Sequence, residues 1–312
     1  MTHRLLFLGT PDFAVPSLKA LAADKRFEII GVVTQPDKPV GRNAVMTPPP
    51  IKTAAQELGI QTIKQPEKLT DADFRAWVEE IGPTCDAFVV VAYGKIFRDW
   101  FLALPKHGLI NVHASLLPRW RGASPINAAI AAGDAKSGVS IMKIEAEMDA
   151  GPVYAVAETP IHPDDTAETL HDRLAQLGAD LIPNVVADVI NKNAQPVEQD
   201  ASLATFCKTL TREDGNINWN LPAEQISLLI RAYHPWPGTW TMVNEKRLKI
   251  FKAVPLMADE MRLPGMRFTM GQGRPAIGCG EGSALELLQV QPEGGKIMSG
   301  EEYLRGIKGW ES

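Results

Sequence analysis

The stretch from Arg4 to Thr34, RLLFLGTPDFAVPSLKALAADKRFEIIGVVT, reads as a strand, a helix and a second strand. Its two short apolar runs, LLFL and IIGVV, flank FAVPSLKALAA, whose small and apolar residues recur at helical spacing. Outward from there the alternation continues through IKTAAQELG, QTIKQ, a helix near 72–81, DAFVVVAYG and the buried-strand pattern GLINVHAS. Strands alternating with helices require crossover connections, which are right-handed and build a parallel sheet covered on both faces. A small-residue helix, SPINAAIAAGD, is followed by two β-rich runs, GVSIMKIEA and GPVYAVAET, joined by the turn-like EMDAGP. An amphipathic helix over 166–191 closes this unit. The fold class expected is therefore α/β, a Rossmann-like domain with a mostly parallel sheet over residues 1–192.

Residues 193–208 are polar and aperiodic and read as a linker. Residues 209–312 begin with a helix near 223–232 and continue as short β-like runs, GTWTMVN, KRLKIFKAV, AIGCG and ALELLQVQ, broken by Gly and Pro. That pattern fits a small OB-like β-barrel of five strands. The run Pro48-Pro49-Pro50 is placed in a loop.

Hydrophobic residues make up 45% and charged residues 22% of 312 residues, ordinary globular usage that leaves no room for long disorder. The apolar stretch after Met1-Thr2-His3-Arg4 is too short for a signal peptide or a membrane span, so a cytoplasmic location is expected. Cys85, Cys207 and Cys279 are far apart, without CxxC spacing, and read as structural thiols. A net charge of −5 argues against a polyanionic partner, yet residues 206–312 hold 13 Lys and Arg against 12 Asp and Glu. Four of those cations, Lys246, Arg247, Lys249 and Lys252, lie within seven residues, interleaved with Leu248, Ile250 and Phe251. Taken alone, such a run is more often a solvated strand face.

The turn after the first strand, GTPDFA, lacks the GxGxxG that brings backbone against a pyrophosphate, and no GxxxxGK[ST] loop occurs. Ligands of open α/β sheets still bind beyond the carboxyl ends of strands, which singles out GTPDF, VVAYG and NVHASLLP. On a strand, residues two apart share a face, so Asn111 and His113 point the same way. An amide donor and an imidazole aimed at one point suit a carbonyl whose oxygen becomes negative in acyl transfer. Asp149, in the turn between the two later strands, could reach the imidazole, orient it and favour its protonated form. By spacing alone, a lone strand histidine is more often a satisfied core or surface residue. A Ser115-His113-Asp149 hydrolase is disfavoured by the missing GxSxG elbow, and a metal site by the absence of a second ligand near His113.

At these residues the chain resembles the folate-dependent formyltransferases, whose signature combines an Asn-x-His strand, an SLLP loop and a downstream Asp-x-Gly turn. The likeness extends over the whole chain through GTPDFA, TQPDKPVGR, VVAYG, SLLPRWRGASPI, AGD, GVSIMKIEAEMDAG and HPWPGTW, and is greatest to the branch that acts on charged initiator tRNA. The resemblance implies Asn111, His113 and Asp149 as the catalytic trio and Ser115, Leu116, Leu117 and Pro118 as lining the folate site. Val91, Ala92, Tyr93 and Gly94 are implied to contribute to the pterin pocket. It further implies 10-formyltetrahydrofolate as formyl donor and initiator methionyl-tRNA as acceptor; no metal is expected from the ligand spacing, and the chain is taken as a monomer without a residue that decides it. Arg42 is implied near the acceptor end of the tRNA, and Lys246, Arg247, Lys249 and Lys252 become tRNA-binding candidates in a tRNA-binding second domain. After Gly41-Arg42 the likeness breaks, with Asn43-Ala44-Val45 standing where lysines are usual. A small-molecule formyl acceptor, a folate hydrolase, or a binding protein without turnover are the competing readings.

Overall fold

The computed structural model describes residues 2–41, 43–257, 262–271 and 273–311. Chain order begins with β1 (His3–Gly9), α1 (Val15–Ala23), β2 (Phe27–Val33), the hairpin β3 (Lys38–Val40) and β4 (Val45–Thr47), α2 (Pro50–Glu57), β5 (Ile63–Lys64) and α3 (Ala72–Ile81). It continues with β6 (Ala87–Val91), α4 (Asp99–Leu102), β7 (Leu109–His113), β8 (Arg121–Gly122), α5 (Pro125–Ala131), β9 (Lys136–Lys143), β10 (Val153–Pro160), α6 (Ala167–Ile190) and β11 (Phe206–Cys207). The proline run placed in a loop in fact ends inside a helix. Pro50 opens α2, where its missing N–H would have had no partner and its fixed φ suits the helix.

The chain divides into two compact units. The first takes in Met1–Gly122, Lys136–Pro160 and His171–Cys207, and the second Ala123–Ala135, Ile161–Leu170 and Lys208–Ser312. The first unit is built on a seven-stranded sheet in the order β10-β9-β7-β6-β1-β2-β5. Strands β7, β6, β1, β2 and β5 run parallel, while β9 is antiparallel to both β7 and β10. The central strand β6, AFVVV, is buried at every position, because helices cover both faces of a parallel sheet. Its Phe88 and Val90 join Leu6, Leu8, Phe74, Val78 and Phe101 in one apolar cluster. Each fully buried side chain of this size stabilises the fold by about 1.5–3 kcal/mol.

Helix α6 buries Leu174, Ile182, Val186 and Ile190 at four-residue multiples, which puts one stripe on the sheet. Gly178 falls on that stripe where the helix meets β7: a Cβ there would stand 2.8 Å from Val112 Cγ1. The helix thus closes over the strand that carries Asn111 and His113, and a larger residue would lift it away.

In the second unit, α7 (Ala223–Ala232) packs on a sheet of β12 (Thr239–Val243), β13 (Lys246–Met257), β14 (Arg267–Met270), β15 (Arg274–Gly278) and β16 (Ser283–Pro292). The order is β12-β13-β16-β15-β14, all antiparallel, with β17 (Met298–Ser299) also on β16 and α8 (Gly300–Gly306) following. Its core gathers Ile226, Ile230, Leu248, Ile250, Leu285, Leu287, Val290 and Trp310. The β-rich part expected from the sequence is present, but closure into a barrel is not: among the described residues no pairing joins edge strands β12 and β14. Register irregularities between Ile250 and Ala253 bend β13, the device that curves a sheet toward a barrel without by itself pairing its edges. Among the described residues, no helix is long and apolar enough to cross a membrane.

Candidate active site

Parallel pairing sets β6 and β7 side by side with Val90 opposite Asn111 and Val91 opposite Val112, so their carboxyl-terminal loops leave the sheet together. On the other side, β9 places Met142 opposite Asn111 and Ser140 opposite His113. His113 is 6% exposed, whereas Asn111 is half-buried. Among the described residues the Asn111 side-chain amide has no hydrogen-bond partner, so both of its N–H donors are uncommitted.

The imidazole is held from two sides. Nε2 lies 3.0 Å from the Trp120 carbonyl, which can only accept, so Nε2 carries the hydrogen of that bond. Nδ1 stands 3.7 Å from Asp149 Oδ2, within ion-pair distance but beyond a direct hydrogen bond, which leaves Nδ1 as the uncommitted ring atom. The Asp149 carboxylate is itself anchored: Gly122 N–H donates to Oδ2 at 2.9 Å. Asp149 has φ +52°, the left-handed region that Asp tolerates better than most residues with side chains.

The SLLP segment wraps this pair. Ser115 is buried, and its hydroxyl donates to the Arg119 carbonyl at 2.6 Å and does not bond His113, so the residue braces the turn. That bond leaves no room for a Ser115 nucleophile activated by His113. Ser140 Oγ donates to the Ser115 carbonyl at 2.7 Å and accepts from Leu117 N–H at 3.1 Å, tying the loop to β9. Leu116, Leu117 and Pro118 are half-buried, with a cis bond between Leu117 and Pro118.

Beyond β6, Val91 and Tyr93 are buried while Ala92 and Gly94, at φ +48° and +75°, are exposed. Gln35 Nε2 donates to the Tyr93 carbonyl at 2.9 Å, and Gln35's own carbonyl accepts from Gln65 Nε2 at 2.9 Å, which stiffens the loop. Burial, with the charge of Asp71 second, pushes the Tyr93 phenol well up, so it stays protonated; its hydroxyl has no partner among the described residues. The backbone groups of Ala92 and Gly94 bond no other described residue. Exposed, unspent backbone donors and acceptors next to Asn111 and His113 fit a flat heterocycle with alternating hydrogen-bonding edges. A depression lined by Arg4, Glu28, Ile30 and Gln61 opens instead at the amino-terminal ends of β1 and β2, the wrong end of the sheet for ligands of this fold.

The structure thus brings together Asn111, His113, Asp149, Ser115–Pro118 and Val91–Gly94. Lys246, Arg247, Lys249 and Lys252 belong to β13 in the second unit, and Arg42 lies outside the described residues. All four β13 cations are exposed, with Leu248 and Ile250 turned into the core. Arg247 lies over the Trp240 ring at 3.9 Å, while the amines of Lys246, Lys249 and Lys252 make no ion pair or hydrogen bond among the described residues. Three contributors escaped sequence reading: the Trp120 carbonyl, Arg121 and Gln199. A main-chain acceptor leaves no trace in a sequence, and the two side chains lie in segments without periodicity.

A parallel sheet with an amide and an imidazole at its carboxyl end, and an appended β unit, is the frame, and the comparisons give its class, a group transferase. Residues 3–186 match the family described as formyl transferase, residues 209–308 match formyl transferase, C-terminal domain, and the chain belongs to the formyl transferase family. It is 43% identical over 305 residues to the methionyl-tRNA formyltransferase of Chloroflexus aurantiacus, covering 97% of each chain. It is 41% identical over 306 residues to the methionyl-tRNA formyltransferase of Acidithiobacillus ferrooxidans, covering 98% of this chain and 96% of that one. Among solved structures, the sugar 3N-formyl transferase WlaRD, in the presence of dTDP and 5-N-formyl-THF, aligns with a TM-score of 0.66 at 18% identity. That alignment covers 92% of this chain and 97% of the other. An N-formyltransferase from Helicobacter canadensis, with folinic acid and dTDP-3-aminofucose, gives 0.66 at 18% over 92% and 99%. At such identities the structural likeness speaks for the fold alone.

Proposed function

We propose that this chain transfers the formyl group of 10-formyltetrahydrofolate to the α-amino group of the methionyl moiety of initiator methionyl-tRNA, giving N-formylmethionyl-tRNA. Whole-length relatives at about two-fifths identity are named methionyl-tRNA formyltransferase, which supports the formyl transfer and the charged-tRNA acceptor. The single observation that carries the chemistry is the unspent Asn111 amide beside a His113 ring held between the Trp120 carbonyl and Asp149.

When bound, the folate supplies a formyl carbon activated by its attachment to nitrogen. Ala92 and Gly94 offer backbone groups to its heterocycle, and Leu116 to Pro118 offer apolar contact beside it. Asn111 presents an N–H to the formyl oxygen, where negative charge develops as the amine attacks. His113, fixed at Nε2 by Trp120, holds a proton at Nδ1 for that oxygen or for the departing nitrogen. Asp149 acts through His113: its carboxylate balances the charge on the ring and keeps the ring from turning. The amine of an aminoacyl ester is less basic than a side-chain amine and so attacks unprotonated without a strong base. As its bond to the formyl carbon forms and the bond to the folate nitrogen breaks, the proton it sheds goes to solvent or back to His113, replacing the one His113 gives to the departing nitrogen. The second unit contributes tRNA binding through the free cations of β13.

Transfer of labelled formyl from 10-formyltetrahydrofolate should be measured to initiator methionyl-tRNA, free methionine and an aminosugar nucleotide in parallel. Label is expected on the charged tRNA only. Label on a small acceptor, or its release as formate, overturns the acceptor assignment.

A further inference from the structure

We infer that Gln199, clamped by the buried Arg121, is a positioning residue that holds Asp149 in register with His113. This rests on the reading of Asp149 and His113 given above. The Gln199 amide is used at both ends. Its oxygen accepts from Arg121 Nε at 3.1 Å and Nη2 at 2.9 Å, and its nitrogen donates to the carbonyls of Asp149 at 2.8 Å and Gly151 at 2.7 Å. The amide has one permitted orientation, since turning it over would set its N–H groups against Arg121 and its oxygen against two carbonyls. Arg121, only 3% exposed, is a rigid fork whose remaining Nη1 reaches Glu147 Oε1 at 3.4 Å. The clamp closes on both ends of the turn that presents Asp149, where the backbone sits at φ +52° and needs outside support to stay.

The same segment also holds the other partner of the imidazole. Val197 and Val153 exchange two backbone hydrogen bonds of 2.8 Å. Thr205 accepts from Trp120 N–H through Oγ1 at 2.9 Å and from Arg121 N–H through its carbonyl, also at 2.9 Å. Residues 197–207 therefore fasten Asp149 on one side of His113 and the Trp120 carbonyl on the other. A stretch that reads as polar linker is the brace of the histidine.

The test is a double-mutant cycle on the full chain, measuring kcat and KM for folate and tRNA in the parent, Gln199→Leu, Asp149→Asn and the double variant. Gln199→Leu keeps the volume and deletes every polar bond; kcat is expected to fall about 10–100-fold with both KM values nearly unchanged. In the Asp149→Asn background the same substitution should cost little further, because its effect runs through Asp149. Gln199→Glu, which still accepts from Arg121 but sets a carboxylate against two carbonyls, should behave as Gln199→Leu does. It also reads the same cycle if the leucine variant does not fold. An equal loss in both backgrounds, or a change confined to KM or to melting temperature, overturns the positioning role alone. Near-full turnover by Asp149→Asn overturns the underlying reading of the aspartate, and the inference with it.

Discussion

Replacing Gly122 by alanine tests the geometry of the site at its tightest point. Gly122 has φ +118°, and a Cβ built there would stand 2.2 Å from the Cys207 carbonyl oxygen and 3.3 Å from its carbon and sulfur. The nearest atom is backbone, so no flexible side-chain tip can swing aside. Holding a residue with a side chain at such a φ costs about 1–3 kcal/mol, and forcing a carbon into packed atoms costs about 1–3 kcal/mol more. The sum is about 2–6 kcal/mol, which at about 2–4 °C per kcal/mol lowers Tm by roughly 4–24 °C. Relief comes by one of two routes. Either β11 moves off β8, breaking the Arg121 and Thr205 bonds, or residue 122 moves and its N–H leaves Asp149 Oδ2. Both loosen a partner of His113, so kcat measured well below the new Tm should also fall, by about tenfold or more. Scanning calorimetry and steady-state formyl transfer on the same preparation read both effects. A variant with the parent's Tm and the parent's kcat would refute the reasoning, since neither the clash nor the anchoring role could then be real.

Asn111→Ala should lower kcat by about 10²–10³-fold, the usual loss for one oxyanion donor, with Tm unchanged because the amide bonds nothing in the fold; retained kcat in single-turnover assays would remove Asn111 from the chemistry. Lys249→Gln and Lys252→Gln should each flatten the slope of log affinity for tRNA against log salt by about 1. An unchanged slope in a filter-binding titration would move the phosphate contacts off β13. Asp214 in the second unit is held down from 3.8 to about 2, first by the hydrogen bond from Lys208 and then by those from Thr211. A carboxylate depressed in the folded state stabilises above its ordinary value, and that contribution drains away as pH falls toward 2. Denaturant unfolding followed between pH 4 and 2 should therefore be less pH-dependent in Asp214→Asn than in the parent, and equal slopes would refute the assignment.

The expected helices near 72–81, 166–191 and 223–232 correspond to α3, α6 and α7, and the apolar runs RLLFLG, EIIGVVT, DAFVVVAYG and GLINVHAS to β1, β2, β6 and β7. Each is a property of consecutive residues, so period and composition suffice to see it. The same holds for the two-residue spacing of Asn111 and His113, which puts both on one face whatever surrounds the strand. Barrel closure is different in kind. It depends on whether two edge strands distant in the chain meet, and short β-like runs look alike in an open sheet and a closed one.

The amino-acid sequence by itself determined the alternation that builds the parallel sheet, the strand that carries the amide and imidazole, and the turn that carries the carboxylate. Only the tertiary structure decided what each of them faces. The Trp120 carbonyl on His113, the Gly122 N–H on Asp149 and the Gln199 amide between Arg121 and Asp149 join residues separated by 7, 27 and 50 positions. Arginine and glutamine in an aperiodic stretch read as surface, because burying them is tolerable only when every donor and acceptor finds its complement. That complementarity exists between parts of the folded chain and has no signature in any window of its sequence.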